Sequence, residues 1–271
     1  MTLLYIIAFT AFGGILSILA ASVFLFLPEP TRSKLLPHCV SFAIGALLAV
    51  AFWGLIPHAL EAVSSDQIQT ISGTLLGGIL LFFLLEKLLI WRHCHSSHCE
   101  AHIHEDIHGH EASGTLIILG DSIHNFVDGI LIGAAFLTNT NLGIVTSLAV
   151  AAHEIPQEVG DFAIMLHSGY SRNKALIFNI LASLTTVLGG ILAYFWLGDM
   201  QQSLPYILAL AASSFIYVAV ADLIPTLHKR TDIQSTVKQI ILIGLGVLLI
   251  CSLDSLIHEE EPHLSQINKM N

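Results

Sequence analysis

The chain has 271 residues, of which 54% are hydrophobic and 11% charged, and its mean hydropathy is +0.77. Soluble globular domains are about one quarter charged, so this composition excludes one and predicts a polytopic, all-α membrane protein. The formal charge of −10 implies no nucleic-acid partner, because many of the acids fall inside apolar segments and mark an acidic interior.

Apolar runs of about 20 residues each cross a hydrocarbon core. They occur at 3–27, 38–60, 70–91, 113–137, 142–168, 174–197, 203–226 and 238–257, which predicts eight transmembrane helices. No Lys or Arg precedes Arg32, so the first run lacks the basic region of a secretory signal and reads as a retained span. The second run ends Leu55-Ile56-Pro57-His58, and the seventh ends Asp222-Leu223-Ile224-Pro225. They echo each other as kinked ends with one ionisable residue apiece. His58 and Asp222 read as pathway gates or as interfacial residues near a kink.

A connection at about 92–112 separates the third and fourth runs. It carries His93, His95, His98, His102, His104, His108 and His110, with Cys94 and Cys99 among them. Such tracts bind borderline divalent metals without a fixed fold, so a metal-buffering or sensing loop is expected. With Cys39 and Cys251, the four cysteines are too few and too scattered for a disulfide framework.

In the fourth run, Asp121, His124, Asn125 and Asp128 repeat at i, i+3, i+4 and i+7 and so share one helix face. Imidazole and carboxylate one turn apart suit zinc, iron or manganese better than calcium or magnesium. The fifth run carries His153, Glu154, Gln157, Glu158 and Asp161 around Pro156. Proline cannot donate to the Ala152 carbonyl, so a bend is expected, with a freed oxygen beside the acids. A central Asp costs roughly 2.5–3.5 kcal/mol to insert, so five such acids would cost on the order of 15 kcal/mol. A bound cation is the simplest compensation; a hydrogen-bond network between helices is the plainer one. In the sixth run, Asn179 and Ser183 read as helix–helix hydrogen bonding or as a site wall. Gly77-Gly78 and Gly189-Gly190 read as points of close packing.

Arg32, Lys34, Lys87, Arg92, Arg172, Lys174, Lys229, Arg230 and Lys238 all fall on one side of an eight-span alternation, and Lys269 alone on the other. The positive-inside rule then places both termini outside and the His-rich loop in the cytoplasm. No loop or tail is long enough to bury a core of its own, so residues 1–271 read as a single transmembrane domain.

The motifs His124-Asn125-Phe126-Val127-Asp128-Gly129 and His153 through Asp161, with this topology, resemble the ZIP (Zrt-, Irt-like protein) family of metal transporters. The second motif is similar to a subfamily pattern, H-E-x-P-H-E-x-G-D. The resemblance implies one metal site from His124, Asp128, His153 and Gln157, and an adjoining one from Asn125, Asp128, Glu154 and Gln157. It also implies import of a divalent metal, zinc first and Fe2+, Mn2+ or Cd2+ as alternatives, by a homodimer in the cell membrane (the inner membrane if bacterial). Asp121, Glu158 and Asp161 would line the pathway, with Glu158 and Asp161 on its exit. Gln157 departs from the family, standing where a His or Glu is usual. Aligned on Pro57, Val50 and Gly54 replace an Asp and a His. Two other readings compete. An intramembrane zinc metalloprotease is suggested by His153-Glu154-x-x-Gln157, which lacks the second His of H-E-x-x-H. A passive metal channel is the other.

Overall fold

The computed structural model describes residues 1–93, 110–228 and 232–268, and among them there is no strand. Ten α-helices follow one another: α1 (Thr2–Phe26), α2 (Glu29–Ala49), α3 (Ile56–Glu61), α4 (Ile68–His93), α5 (His110–Thr138), α6 (Thr140–His167), α7 (Arg172–Leu197), α8 (Leu204–Tyr217), α9 (Ile224–Leu227) and α10 (Ile233–Asn268). Among the described residues, six segments are long and apolar enough to cross a membrane: Thr2–Phe24, Lys34–Glu61, Ser65–Leu88, Arg172–Leu197, Gln201–Leu227 and Ile233–Leu253. α5 and α6 are not among them, although they are 29 and 28 residues long. Their polar stripes remove the apolar character that the other helices retain.

The two Ile-Pro ends are not simple kinks. Each is reached through a π-helical turn, Val50–Leu55 between α2 and α3 and Val218–Leu223 between α8 and α9. Ile56 N–H bonds to the Ala51 carbonyl and Ile224 N–H to that of Ala219, five residues back in both cases. Pro57 and Pro225 have no N–H to give and crowd the preceding turn; the wider turn makes room for the ring. α2 starts well before the expected residue 38 because Pro30 lies in its first turn, where a missing N–H costs no helical bond. α6, by contrast, passes through Pro156 as one helix.

α5 and α6 form a hairpin with Asn139 alone between them. The Asn139 side-chain oxygen accepts from Asn141 N at 2.7 Å and Leu142 N at 3.2 Å, capping the start of α6. Counted from Asn139, His124 is fifteen residues back and His153 fourteen on. At 1.5 Å per residue both lie about 21–23 Å from the turn, so the two polar stripes meet at one level. α7 packs on the outside of α5, and glycine permits the approach: a Cβ at Gly129 would lie 2.0 Å from Thr186 O, and one at Gly189 would lie 2.1 Å from Phe126 O. Gly78 likewise meets Ser213, whereas Gly77 faces open space.

An apolar core fills the turn-side half of the bundle. Leu55, Ile71, Leu142, Ala149, Leu208 and Ala212 are all fully buried in it. The periphery is the reverse, with only 11% of the most apolar stretch of α4 or α10 buried, against 67% for Lys34–Glu61. Leu80, Leu84, Ile241 and Leu248 are more than half exposed, as a lipid-facing surface requires. His93 and His110 end the helices that flank the His-rich tract. His95, His98, His102, His104 and His108 lie outside the described residues.

Candidate metal centre

Four of the six expected ligands converge between α5 and α6. One donor atom from each of His124, Asp128, His153 and Glu154 can be chosen so that all lie within 4.8 Å of one another. His153 Nε2 is 3.1 Å from Asp128 Oδ2 and 3.2 Å from His124 Nε2. His124 Nε2 is 3.6 Å from Asp128 Oδ2, and Glu154 Oε1 lies 3.9 and 3.8 Å from the two imidazoles. Four ligands about 2.05 Å from a tetrahedral ion stand about 3.4 Å apart, so these separations straddle the edge of a zinc-sized tetrahedron.

The donors are removed from water. Asp128, His153 and Glu154 are 1–3% exposed, while His124 retains 24%. Among the described residues, both Glu154 carboxylate oxygens are buried without a hydrogen-bond partner, and Asp128 Oδ2 is buried with none beyond the adjacent imidazoles. Such atoms are costly unless a cation or donor meets them. His153 is held in place by its Nδ1, 3.3 Å from the Ala149 carbonyl, and by the Phe215 ring at 6.2 Å. Its Nε2 is thereby turned to the acids.

The other two expected ligands are engaged elsewhere. Asn125 donates to Asp121 Oδ1 at 2.9 Å and accepts from the Thr186 hydroxyl at 2.7 Å. Gln157 donates to the same Asp121 oxygen at 3.3 Å. Asp121 is therefore the hub of a polar layer beside the four donors. Thr186, on α7, was missed by sequence reasoning. Its signal was available, since Asn179, Ser183 and Thr186 repeat at i, i+4 and i+7 on one buried face.

A cavity of about 660 Å³ reaches this level. Asp121, His124, Gln157, Asp161 and Asp222 line it, with Pro156 on its wall. Glu158 does not; it is fully buried and accepts from the Ser183 hydroxyl at 3.3 Å. Asn179 is buried one turn away on α7. His58 lies apart on α3, its Nδ1 2.8 Å from the Gly54 carbonyl.

Fold and site together define a multi-pass helical membrane protein with a buried His/carboxylate cluster beside an acid-lined cavity. Residues 91–254 match the family model described as ZIP Zinc transporter, and the chain belongs to that family. It is 31% identical to the zinc transporter zipt-7.2 of Caenorhabditis elegans over 88% of this chain and 64% of the relative. It is 45% identical to the zinc transporter ZIP4 of Homo sapiens over 43% of this chain and 18% of the relative. With the metal cation symporter ZIP14 of Xenopus tropicalis it shares 30% identity, over 79% and 59%. The chain thus spans less than two thirds of the length of each of these relatives.

Proposed function

We propose that this protein carries a divalent metal ion, zinc first and Fe2+, Mn2+ or Cd2+ as further cargo, from outside to the cytoplasm. His124, Asp128, His153 and Glu154 hold the ion at mid-membrane. Asn125 and Gln157 tune the site through Asp121 and turn to the ion as it moves. Asp161 and Asp222 line the exit, and the His-rich tract at about 92–112 receives the cargo. In this reading α5 and α6 complete an eight-span bundle with both termini outside. Their lengths of about 42–44 Å exceed what a bilayer core needs. The chain acts as one transmembrane domain in a cell membrane, the inner membrane in a bacterial source, and pairs as a homodimer.

The observation that carries this reading is the donor cluster. Two imidazoles and two carboxylates stand at tetrahedral spacing with orphaned acid oxygens. Two acids balance a dication, which offsets the cost of keeping them in lipid. The ion sheds its water for nitrogen and oxygen donors, a mixture that favours zinc-like metals over calcium. A carrier fits better than an open channel, because the cavity reaches His124 while Leu208, Ala212 and Phe215 are buried in the apolar core. The cavity opens among α2, α5, α6, the π-helical turn Val218–Leu223 and α9, at the end nearest the basic connections, which by the positive-inside rule is the cytoplasmic end.

Reconstitution in liposomes with a panel of metals tests the proposal. Wild type takes up zinc, whereas Asp128→Ala and His153→Ala do not; uptake equal to wild type by both variants overturns it. A second arm varies the pH gradient, since one relative bears the name of a symporter.

A further inference from the structure

A second cavity, of about 330 Å³, lies between the first turns of α2 and α10, away from the metal centre. Lys34 and Lys238 line it from opposite helices, together with His38, Ser41, Ser235 and Gln239. No carboxylate lines it among the described residues. Asp232, immediately before α10, is turned to the helix start, where its Oδ1 accepts from Ser235 N at 2.8 Å. His38 is fixed by its Nδ1, 2.7 Å from the Lys34 carbonyl. Beside Pro37, the lining residues therefore include two lysines, two serines and a glutamine, side chains whose charge and donors suit a phosphate.

The cavity also sits where a lipid headgroup sits. Both helices enter apolar spans here, Lys34–Glu61 and Ile233–Leu253. Lys238 heads a stripe at i, i+3, i+7 and i+10 in which Ile241, Leu245 and Leu248 are 56%, 49% and 63% exposed. An acyl chain laid along that stripe brings its phosphate to Lys238. The facing wall is rigid, because α2 and α10 meet at Gly45 and Gly246, where a Cβ would lie 2.1 and 2.4 Å from backbone oxygens. We infer that this cavity is a binding site for the phosphate of an anionic glycerophospholipid in the leaflet on the basic side of the protein.

The test uses the full chain, purified in detergent and offered equal phosphatidylglycerol and phosphatidylcholine, with retained lipid read by native mass spectrometry. Wild type is expected to retain phosphatidylglycerol preferentially. The K34Q/K238Q double variant should retain on the order of tenfold less, as the loss of two interfacial lysines implies. K174Q, which removes a charge from the same end of the bundle outside the cavity, should retain as much as wild type. Equal retention by wild type and the double variant overturns the assignment, and so does an equal loss in K174Q, which would mean diffuse surface charge. Inorganic phosphate binding that the double variant loses, without any preference between the lipids, overturns the lipid as its source.

Discussion

His124 and His153 are the same side chain at the same level of one helical hairpin, 3.2 Å apart, yet one is 24% exposed and the other 1%. The difference belongs to the two halves of the bundle they border. Towards the Asn139 turn, small and branched apolar residues interlock, and Leu208, Ala209 and Ala212 have no exposure at all. Towards the basic end, α5 and α6 part from α2 and the π-helical turn Val218–Leu223 and leave an open, acid-lined space. A single packed core would bury both imidazoles equally. Here the sealed half fixes the donors and the open half admits water to one of them, so binding geometry and release come from different parts of the fold.

The largest effect should come from the residue where the halves join. Asp128 touches both imidazoles, and removing it takes away the carboxylate nearest to each. Asp128→Ala is expected to lower zinc affinity by more than about 100-fold, beyond what loss of a supporting residue costs. Isothermal titration of the purified protein checks this, and near-wild-type affinity would detach the cluster from metal binding.

Access separates the halves more directly. Gly160 lines the cavity and a Cβ there would meet nothing within 4 Å, whereas Ala212 is fully buried. In a background without the four native cysteines, Gly160→Cys should react with a membrane-impermeant maleimide from the basic side. Ala212→Cys should not. Labelling of both would mean that the apolar half is not sealed. The sealed half should also carry the stability. Leu208→Ala is expected to cost about 2–4 kcal/mol through lost packing, read as a lower thermal midpoint, while Asp161→Asn should leave that midpoint unchanged.

How much of this was legible differs residue by residue. The stripe at Asp121, His124, Asn125 and Asp128 could be read because helical periodicity alone puts those positions on one face. The matching level of His153 followed only once Asn139 was seen to be the whole turn, since each residue added there would shift one stripe by about 1.5 Å. The two Ile-Pro ends were legible as a pair. Their π-helical turns were not, because a proline can be accommodated by a kink, a break or a wider turn, and neighbouring packing chooses among them. The division of labour among the polar residues was hidden for a similar reason. Periodicity assigns a face, but a rotamer decides whether Asn125 meets an ion or Asp121. The open cavity was invisible, being the space left between helices distant in sequence.

The smallest effect is the one that sharpens the site itself. Gln157 was expected among the ligands of both sites, yet its amide nitrogen lies 3.3 Å from Asp121 Oδ1, beside the four donors. If it acts only through that hydrogen bond, Gln157→Ala forfeits about 0.5–1.5 kcal/mol. Zinc affinity should then fall by roughly two- to tenfold, since 1.4 kcal/mol is one decade. Asp121→Ala should cost at least as much, since it also removes the acceptor of Asn125, and the double variant should lose little more than Asp121→Ala alone. Direct coordination predicts a different pattern. Gln157→Ala would approach the loss seen in Asp128→Ala, and its effect would add to that of Asp121→Ala. A double-mutant cycle on metal affinity distinguishes the two, and additivity would return Gln157 to the ion.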